Sequence, residues 1–238
     1  MKRRPRLYFS FRSPYSWLTV HRLRQAVPDV FDRLDCYPYW DPDTKTSAAL
    51  AERGAEFHYV QMSRAKHRYI LLDTKRLAEQ MGLAMAWPID VDPWWELPHL
   101  AWLWARRQGR AVQFYDALVT ERWERGEDIC TPEVLGRAAA AAGLDLAGAQ
   151  AAPDDEQIRD EAAGCLVTAY EDDVFGIPYL RWGRHRFWGL DRVDHFLHAW
   201  QPAPGANGTA LATDPVAGIP AAVTAGASFD TDTAGGCG

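Results

Sequence analysis

Residues 7–18 read LYFSFRSPYSWL, and the organisation of the whole chain follows from them. Aromatic and polar residues alternate in the first half of this stretch, which predicts a short strand. Ser13 then stands at the N-cap of a predicted helix, and Pro14 stands at its first position, where the missing N–H costs nothing. Trp17 and Val20 continue at helical spacing. We therefore expect the Ser13 hydroxyl at a positive helix end, beside unpaired N–H groups that suit an anion.

The composition is that of a soluble globular protein. With 238 residues, 47% of them hydrophobic and 24% charged, the chain can hold one large domain or two small ones. Its net charge of −6 gives no support to a nucleic-acid partner. The basic start is typical of a signal peptide, but Arg12 interrupts the short apolar run that follows, and no window is long enough to span a membrane. We expect a cytoplasmic protein without membrane contact.

The cysteines are scattered and none has the spacing of a pair. This pattern argues against a disulfide framework and against a zinc site. His195 and His198 are three residues apart on a predicted helix, but no third ligand lies near them in sequence. We therefore expect no metal. The four cysteines are Cys36, Cys130, Cys165 and Cys237.

A helical region separates two parts of the chain that carry strand patterns. Residues 34–40 read as a second strand, which completes a strand–helix–strand unit. From about residue 48 to residue 170, helical patterns dominate. The helices predicted there cover residues 65–81, 98–107, 111–122, 132–142 and 156–170.

Strand patterns return after this region. Residues 174–182 read as a strand opened by Pro178, and residues 185–188 pair back on it as a hairpin before a last helix at 193–200. The remaining residues are rich in Pro, Gly, Ala and Thr and lack periodicity, which predicts disorder. We predict four units along the chain. The first and second halves of one strand-containing domain are residues 1–47 and 173–200, the all-helical domain inserted between them is residues 48–172, and the disordered tail is residues 201–238.

The Ser-Pro-Tyr-Ser turn at residues 13–16 resembles a known active-site corner. It is similar to that of the DsbA-like branch of the thioredoxin superfamily, whose redox members carry Cys-x-x-Cys at the same helix start. With serine in both positions, the corner resembles those of the 2-hydroxychromene-2-carboxylate isomerases and kappa-class glutathione transferases of that branch. Because serine cannot form a disulfide, the corner cannot carry out dithiol–disulfide exchange. The resemblance implies an α/β, thioredoxin-like fold with an inserted all-helical domain. Taken alone, Ser13 is equally well explained as a helix N-cap.

The resemblance also implies a site for a small thiol, either glutathione or another low-molecular-weight thiol. Ser13 would be the catalytic residue and would donate a hydrogen bond to the thiolate. Pro178 would be a cis-proline facing the corner, and the run FWGLDR at residues 187–192 would grip the γ-glutamyl end of the thiol. Singly, Pro178 also fits a plain strand start and Asp191 a helix N-cap. The implied thiol-binding residues are Tyr15, Ser16, Lys66, Ile177, Pro178, Leu190 and Asp191.

Two further stretches supply candidate substrate contacts. The run AKHRY at residues 65–69 is similar to the family's Lys-Gly-Arg-Tyr run, which implies that Lys66 or Arg68 faces the thiol or an anionic substrate. Tryptophans cluster between residues 87 and 104, and they fit either a packed helical core or a flat apolar pocket near Ser13. The candidate substrate-binding residues are Arg68, Tyr69, Trp94 and Trp95.

The chain departs from the family pattern at three places. No asparagine stands in residues 53–58, His67 replaces a glycine, and Leu190 stands where a polar side chain is usual. These differences leave the identity of the thiol open.

The resemblance to 2-hydroxychromene-2-carboxylate isomerases implies thiol-dependent cis–trans (E/Z) isomerisation of a conjugated, aromatic or polyunsaturated, carbonyl or carboxylate compound. A kappa-like glutathione S-transferase would use the same site, and a redox-dead thioredoxin-like binding module would fit the departures. The expected partner is a small-molecule substrate, free or carrier-bound. Members of the family are usually dimers, so the resemblance allows a homodimer.

Overall fold

The computed structural model describes residues 4–58 and 62–201. The predicted tail, apart from Gln201, lies outside the described residues. The strands within them are Arg6–Phe9 (β1), Asp35–Pro38 (β2), Tyr179–Trp182 (β3) and His185–Trp188 (β4). The α-helices are Pro14–Ala26 (α1), Val30–Arg33 (α2), Thr44–Glu52 (α3), Arg64–Gln80 (α4), Glu96–Arg107 (α5), Ala111–Val119 (α6), Pro132–Ala141 (α7), Leu146–Ala151 (α8), Glu156–Glu171 (α9) and Val193–Trp200 (α10). In this part of the chain, no helix combines the length and the apolar character needed to cross a membrane.

The strands form one mixed sheet in the order β2-β1-β3-β4. The central strand β1 pairs in parallel with β2 and antiparallel with β3, and β3 forms the predicted hairpin with β4. Leu7, Tyr8 and Phe9 of β1 are all buried. Successive side chains of a strand point to opposite faces, so both faces of the sheet are covered here. The predicted α/β, thioredoxin-like fold is confirmed.

An additional helix, α3, follows β2. The Asp43 carboxylate accepts a hydrogen bond from the Thr46 N–H at 2.8 Å and so caps this helix. The sequence pattern predicts only a strand end at Asp43. A single turn signal marks this residue, and it does not show that the residue also caps a helix. The short helices α2 and α8 were likewise not predicted.

The helix predicted at residues 111–122 ends earlier than its pattern suggests. After Val119 the backbone widens into a π-helical turn, and the Arg125 N–H donates to the Thr120 carbonyl at 3.1 Å. The side chains of Arg122 and Trp123 are both buried, as is that of Glu121. Three consecutive residues of a regular α-helix spread over about 200° of its circumference. The wider turn therefore keeps three neighbouring side chains inside the protein.

The sheet and the helical region share one apolar core. Helix α9 packs against β2 and α5, and α4 packs against α1. Polar contacts tie the two parts together. Glu96 accepts a hydrogen bond from the Asp43 N–H at 2.8 Å, and Arg106 donates to the Cys36 carbonyl at 2.8 Å. The first half of the sheet, which carries the corner at residues 13–16, is therefore fixed to the helical region.

Candidate active site

Ser13 stands at the start of α1, as predicted, and its hydroxyl oxygen accepts a hydrogen bond from the Ser16 N–H at 3.2 Å. The Ser13 N–H donates to the Ser10 carbonyl at 3.1 Å and closes the turn that leads from β1 into the helix. The N–H of Tyr15 has no acceptor among the described residues. Two donors, the Ser13 O–H and the Tyr15 N–H, are therefore available to an anion at this helix end.

Ser16 lies inside the corner rather than on its surface. Its side chain is buried, and its hydroxyl oxygen accepts a hydrogen bond from the Ser10 N–H at 3.2 Å. In this arrangement Ser16 ties the end of β1 to the first turn of α1. The two serines of the corner thus differ in placement, since Ser13 is partly exposed and Ser16 is enclosed.

A buried histidine of the helical region, His99, holds the strand end that leads into the corner. Its Nε2 atom lies 3.2 Å from the Phe11 backbone nitrogen and 3.1 Å from the Ser10 hydroxyl oxygen. Because the Phe11 N–H can only donate, Nε2 accepts, and Nδ1 carries the proton that is shared with the Trp95 carbonyl at 2.6 Å. Burial lowers the pKa of His99 to about 3, so the imidazole is neutral. No local sequence pattern singles out His99, because a lone histidine in a helix carries no signal of a contact with a distant strand end.

Pro178 stands directly before β3, at the end of the sheet that leads into the corner. The peptide bond between Ile177 and Pro178 is cis, which confirms the expectation from the family resemblance. Tyr8 pairs with Tyr179, so Pro178 lies at the end of the sheet where β1 leads into Ser13. The Gly189 N–H donates to the Pro178 carbonyl at 3.0 Å. Within residues 4–58 and 62–201, the backbone N–H and C=O of Ile177 have no hydrogen-bond partner. They are free to pair with an extended peptide ligand.

Leu190 and Asp191 belong to a 3-10 turn, Leu190–Arg192, that packs against α1. Leu190 is half-buried, whereas the Asp191 carboxylate is exposed and lies 2.5 Å from Nη1 of Arg192. The alternative that Asp191 is a helix N-cap is wrong, because it caps neither this turn nor α10. Gly189 has a φ of 96°, and a Cβ there would lie 2.8 Å from the Asp191 carboxylate. The turn thus needs glycine at this position.

The predicted residues of α4 divide between two faces of the helix. Tyr15 donates a hydrogen bond to the Asp73 carboxylate at 2.7 Å, so the Asp73 side of α4 faces α1. Lys66 and Tyr69 stand seven and four residues before Asp73 and share that side. Arg68 is turned about 140° away from it, toward solvent. All three candidates are exposed. The structure therefore brings Lys66 and Tyr69 to the side of the corner and leaves Arg68 on the outward face.

The two candidate tryptophans have different surroundings. Trp95 is buried and Trp94 is 43% exposed. Trp102 is also buried, and Trp87 and Trp104 are half-buried, so the interpretation of the clustered tryptophans as core residues holds fully for two of the five. A cleft of about 610 Å³ lies along β2 and α5, and none of its lining residues belongs to the predicted site. In the described part of the chain, no cluster of His, Cys, Asp and Glu could hold a metal ion.

Residues 6–201 match the family model of the DSBA-like thioredoxin domain. The chain belongs to this family. Its DSBA-like corner, however, contains no cysteine, and burial raises the pKa of the Cys36 and Cys165 thiols to about 12. Of the cysteines in the described ranges, none is paired in a disulfide. Cys237 lies outside those ranges.

Among known DSBA-like proteins, the chain is similar to a 2-hydroxychromene-2-carboxylate isomerase from Sphingobium xenophagum. The two are 27% identical over 198 residues, which cover 81% of this chain and 95% of the relative. The fold is similar to that of a solved 2-hydroxychromene-2-carboxylate isomerase, with a TM-score of 0.63 and 18% identity over 83% of this chain and 94% of that one. The cytosolic disulfide reductase DsbM from Pseudomonas aeruginosa, solved with GSH, gives a TM-score of 0.54 and 15% identity over 83% and 98%. The similarity to the Sphingobium xenophagum protein supports an isomerase-type enzyme within the DSBA-like family, whereas the two solved structures support the fold.

Proposed function

We propose that this DSBA-like protein is a thiol-dependent cis–trans isomerase of a conjugated, aromatic or polyunsaturated, carbonyl or carboxylate compound. The observation that carries the proposal is the pair of free donors at the corner, the Ser13 O–H and the Tyr15 N–H, at a site that holds no cysteine of its own. Such a corner can stabilise a thiolate that a ligand brings, but it cannot exchange a disulfide. The similarity to a 2-hydroxychromene-2-carboxylate isomerase supports the same choice.

The residues around the corner fit a peptide-like thiol. The free backbone groups of Ile177 can pair with the ligand's peptide bonds, and the exposed Asp191 carboxylate can accept from its ammonium group. Glutathione fits this donor and acceptor set, and so does another thiol with a peptide backbone. When bound, the thiol supplies a nucleophile that adds reversibly to a conjugated double bond and so allows rotation about it.

The chain's own groups control charge at this site. The Ser13 hydroxyl, the Tyr15 N–H and the positive end of α1 favour a sulfur anion over the neutral thiol, which lowers the pKa of a thiol held there. Lys66 lies on the α1-facing side of α4, where its charge can stabilise negative charge that develops on a substrate oxygen. Burial, together with the Asp73 carboxylate, raises the pKa of the Tyr15 phenol, which therefore stays protonated and keeps α4 bonded to α1.

The first test is calorimetric binding of glutathione to the wild-type protein and to Ser13→Ala. We expect binding in the micromolar to low-millimolar range, weakened about tenfold by loss of a charge-assisted hydrogen bond in Ser13→Ala. The matched control is Thr131→Ala, because Thr131 caps α7 through the same kind of side-chain hydrogen bond, to the Val134 N–H at 3.4 Å. A loss of stability alone would weaken binding in both variants, and equal affinity in wild type and Ser13→Ala would contradict the proposal.

Products then separate the alternatives. Isomerisation of a conjugated test compound changes its ultraviolet spectrum without consuming thiol, whereas a transferase consumes one thiol for each electrophile. Thiol binding with neither reaction would favour a binding module.

A further inference from the structure

Arg12, the residue before Ser13, places a cation at the corner. Its side chain is exposed, and its guanidinium lies 5.7 Å from the centre of the Trp95 ring. No carboxylate within residues 4–58 and 62–201 forms an ion pair with it. Its backbone N–H is fixed by a hydrogen bond to the Ser10 hydroxyl oxygen at 3.2 Å. An unneutralised positive charge therefore stands beside the proposed catalytic serine.

The Trp95 ring, which lies beneath Arg12, is held in place by a second arginine. The buried Arg122 guanidinium lies 4.9 Å from the Trp95 ring and 4.7 Å from the Trp123 ring. Two hydrogen bonds, of 2.8 and 2.9 Å, join Arg122 to the Asp90 carboxylate. Trp123 in turn stacks on Trp17 of α1, with ring centres 6.1 Å apart. The charge of Arg122 is therefore matched inside the protein, whereas that of Arg12 is not.

The ion pair of Arg122 and Asp90 also fixes an apolar loop, at residues 86–94. Asp90 turns inward to Arg122, while its neighbours Ile89 and Val91 are 82% and 74% exposed. Another contact, from the Ala86 N–H to the Trp123 carbonyl at 2.7 Å, holds the start of the loop. The loop runs on to Trp94, whose ring is also partly exposed. Large apolar side chains exposed together on a fixed loop indicate a binding surface.

We propose that Arg12 binds the carboxylate of an amphipathic anionic substrate, whose apolar body lies along Trp94, Ile89 and Val91. The ligand class is an aryl- or polyene-substituted carboxylate with one charged end. Arg12 determines specificity in this assignment, because its planar guanidinium forms a charge-assisted, two-bonded pair with a carboxylate, whereas an uncharged analogue forms at most a single neutral hydrogen bond with it. The assignment of this ligand as a substrate rests on the proposed function, whereas its binding can be measured without turnover.

The experiment compares trans-cinnamate with trans-cinnamamide, which has the same apolar body and no charge. Affinities are measured by calorimetry at low salt for the wild type, Arg12→Gln, Arg12→Lys and the control Arg110→Gln. Arg110 is also an exposed arginine without an ion pair among the residues described, but it lies at the start of α6. We expect Arg12→Gln to weaken cinnamate binding about tenfold, Arg12→Lys to weaken it less, and both to leave cinnamamide unchanged. Arg110→Gln should match the wild type.

Two results would overturn the assignment. One is equal affinity of the wild type for cinnamate and cinnamamide, including no detectable binding of either. The other is an equal loss for both ligands in Arg12→Gln, which would indicate a disturbed corner rather than a lost charge. Glutathione binding to the wild type, measured alongside, keeps the two proposals apart. If glutathione fails to bind wild type while Arg12 still selects cinnamate, only the proposed function falls. If glutathione binds and the charge preference is missing, only this inference falls.

Discussion

Replacing His99 with glutamine should flatten the pH dependence of stability in weak acid. In the folded chain, burial lowers the pKa of His99 from 6.5 to about 3. Below pH 6.5 the unfolded chain therefore binds a proton at His99 that the folded chain excludes. The contribution of the neutral His99 to the free energy of unfolding is complete above pH 6.5 and is lost as the pH falls toward the folded-state pKa. Well below that pH the loss is about 1.4 kcal/mol per pH unit, which gives about 2 kcal/mol between pH 6.5 and about 4.5. This is a large fraction of a typical folding free energy of about 5–15 kcal/mol.

The assay is urea unfolding, followed by circular dichroism at several pH values from neutral to about 4.5. Carboxylates titrate in the wild type and in His99→Gln alike, so the informative quantity is the difference between the two curves. His99→Gln should be less stable at neutral pH, by about 1–3 kcal/mol for each buried group left without its partner, and the gap should narrow with acid. His195→Gln, which removes an exposed histidine of α10, serves as the control and should follow the wild type. Parallel curves for wild type and His99→Gln would refute the reasoning.

Three further predictions test the framework of the site. Asp90→Asn leaves a buried guanidinium without its counter-charge and should lower the free energy of urea unfolding by about 3 kcal/mol. Gly148→Ala places a methyl group inside contact distance of the Trp104 ring and should cost about 1–3 kcal/mol in thermal unfolding, whereas Gly164→Ala, in open space inside α9, should raise the stability by up to about 1 kcal/mol. Ser13→Cys should give a thiol whose pKa lies below about 8.5 in an ultraviolet thiolate titration, and a value at or above it would contradict the electrostatics proposed for this helix end.

The corner at residues 13–16 could be predicted because its signals are local. Serine before proline at a helix start has the same physical consequence in any chain, since it caps the helix and leaves first-turn donors free. The hairpin of β3 and β4 was predictable for a similar reason, from alternation on both sides of the turn at Gly183. For Pro178, the residues alone favoured only a strand start, and the cis geometry came from the family resemblance.

The contacts that fix the corner could not be predicted because they join distant parts of the chain. His99 reaches Phe11 across 88 residues, and neither residue has a neighbour in sequence that indicates the other. Arg122 was predicted as the end of a regular helix, whereas the π-helical turn carries it into the core against Trp95. The importance of Arg12 depends on the same packing, since only the folded chain shows that its charge is unmatched.

The order of the strands also has a consequence for biosynthesis. The central pairing of Tyr8 with Tyr179 joins residues about 170 positions apart. A ribosome synthesises β1, the turn and α1 before the helical region, and it must complete that region before β3 can pair with β1. During that interval, the edge of β1 that later pairs with β3 is unprotected, so it can form non-native pairs with other strands. Production of this protein should therefore depend more on chaperones and on a low synthesis temperature than its final stability would suggest.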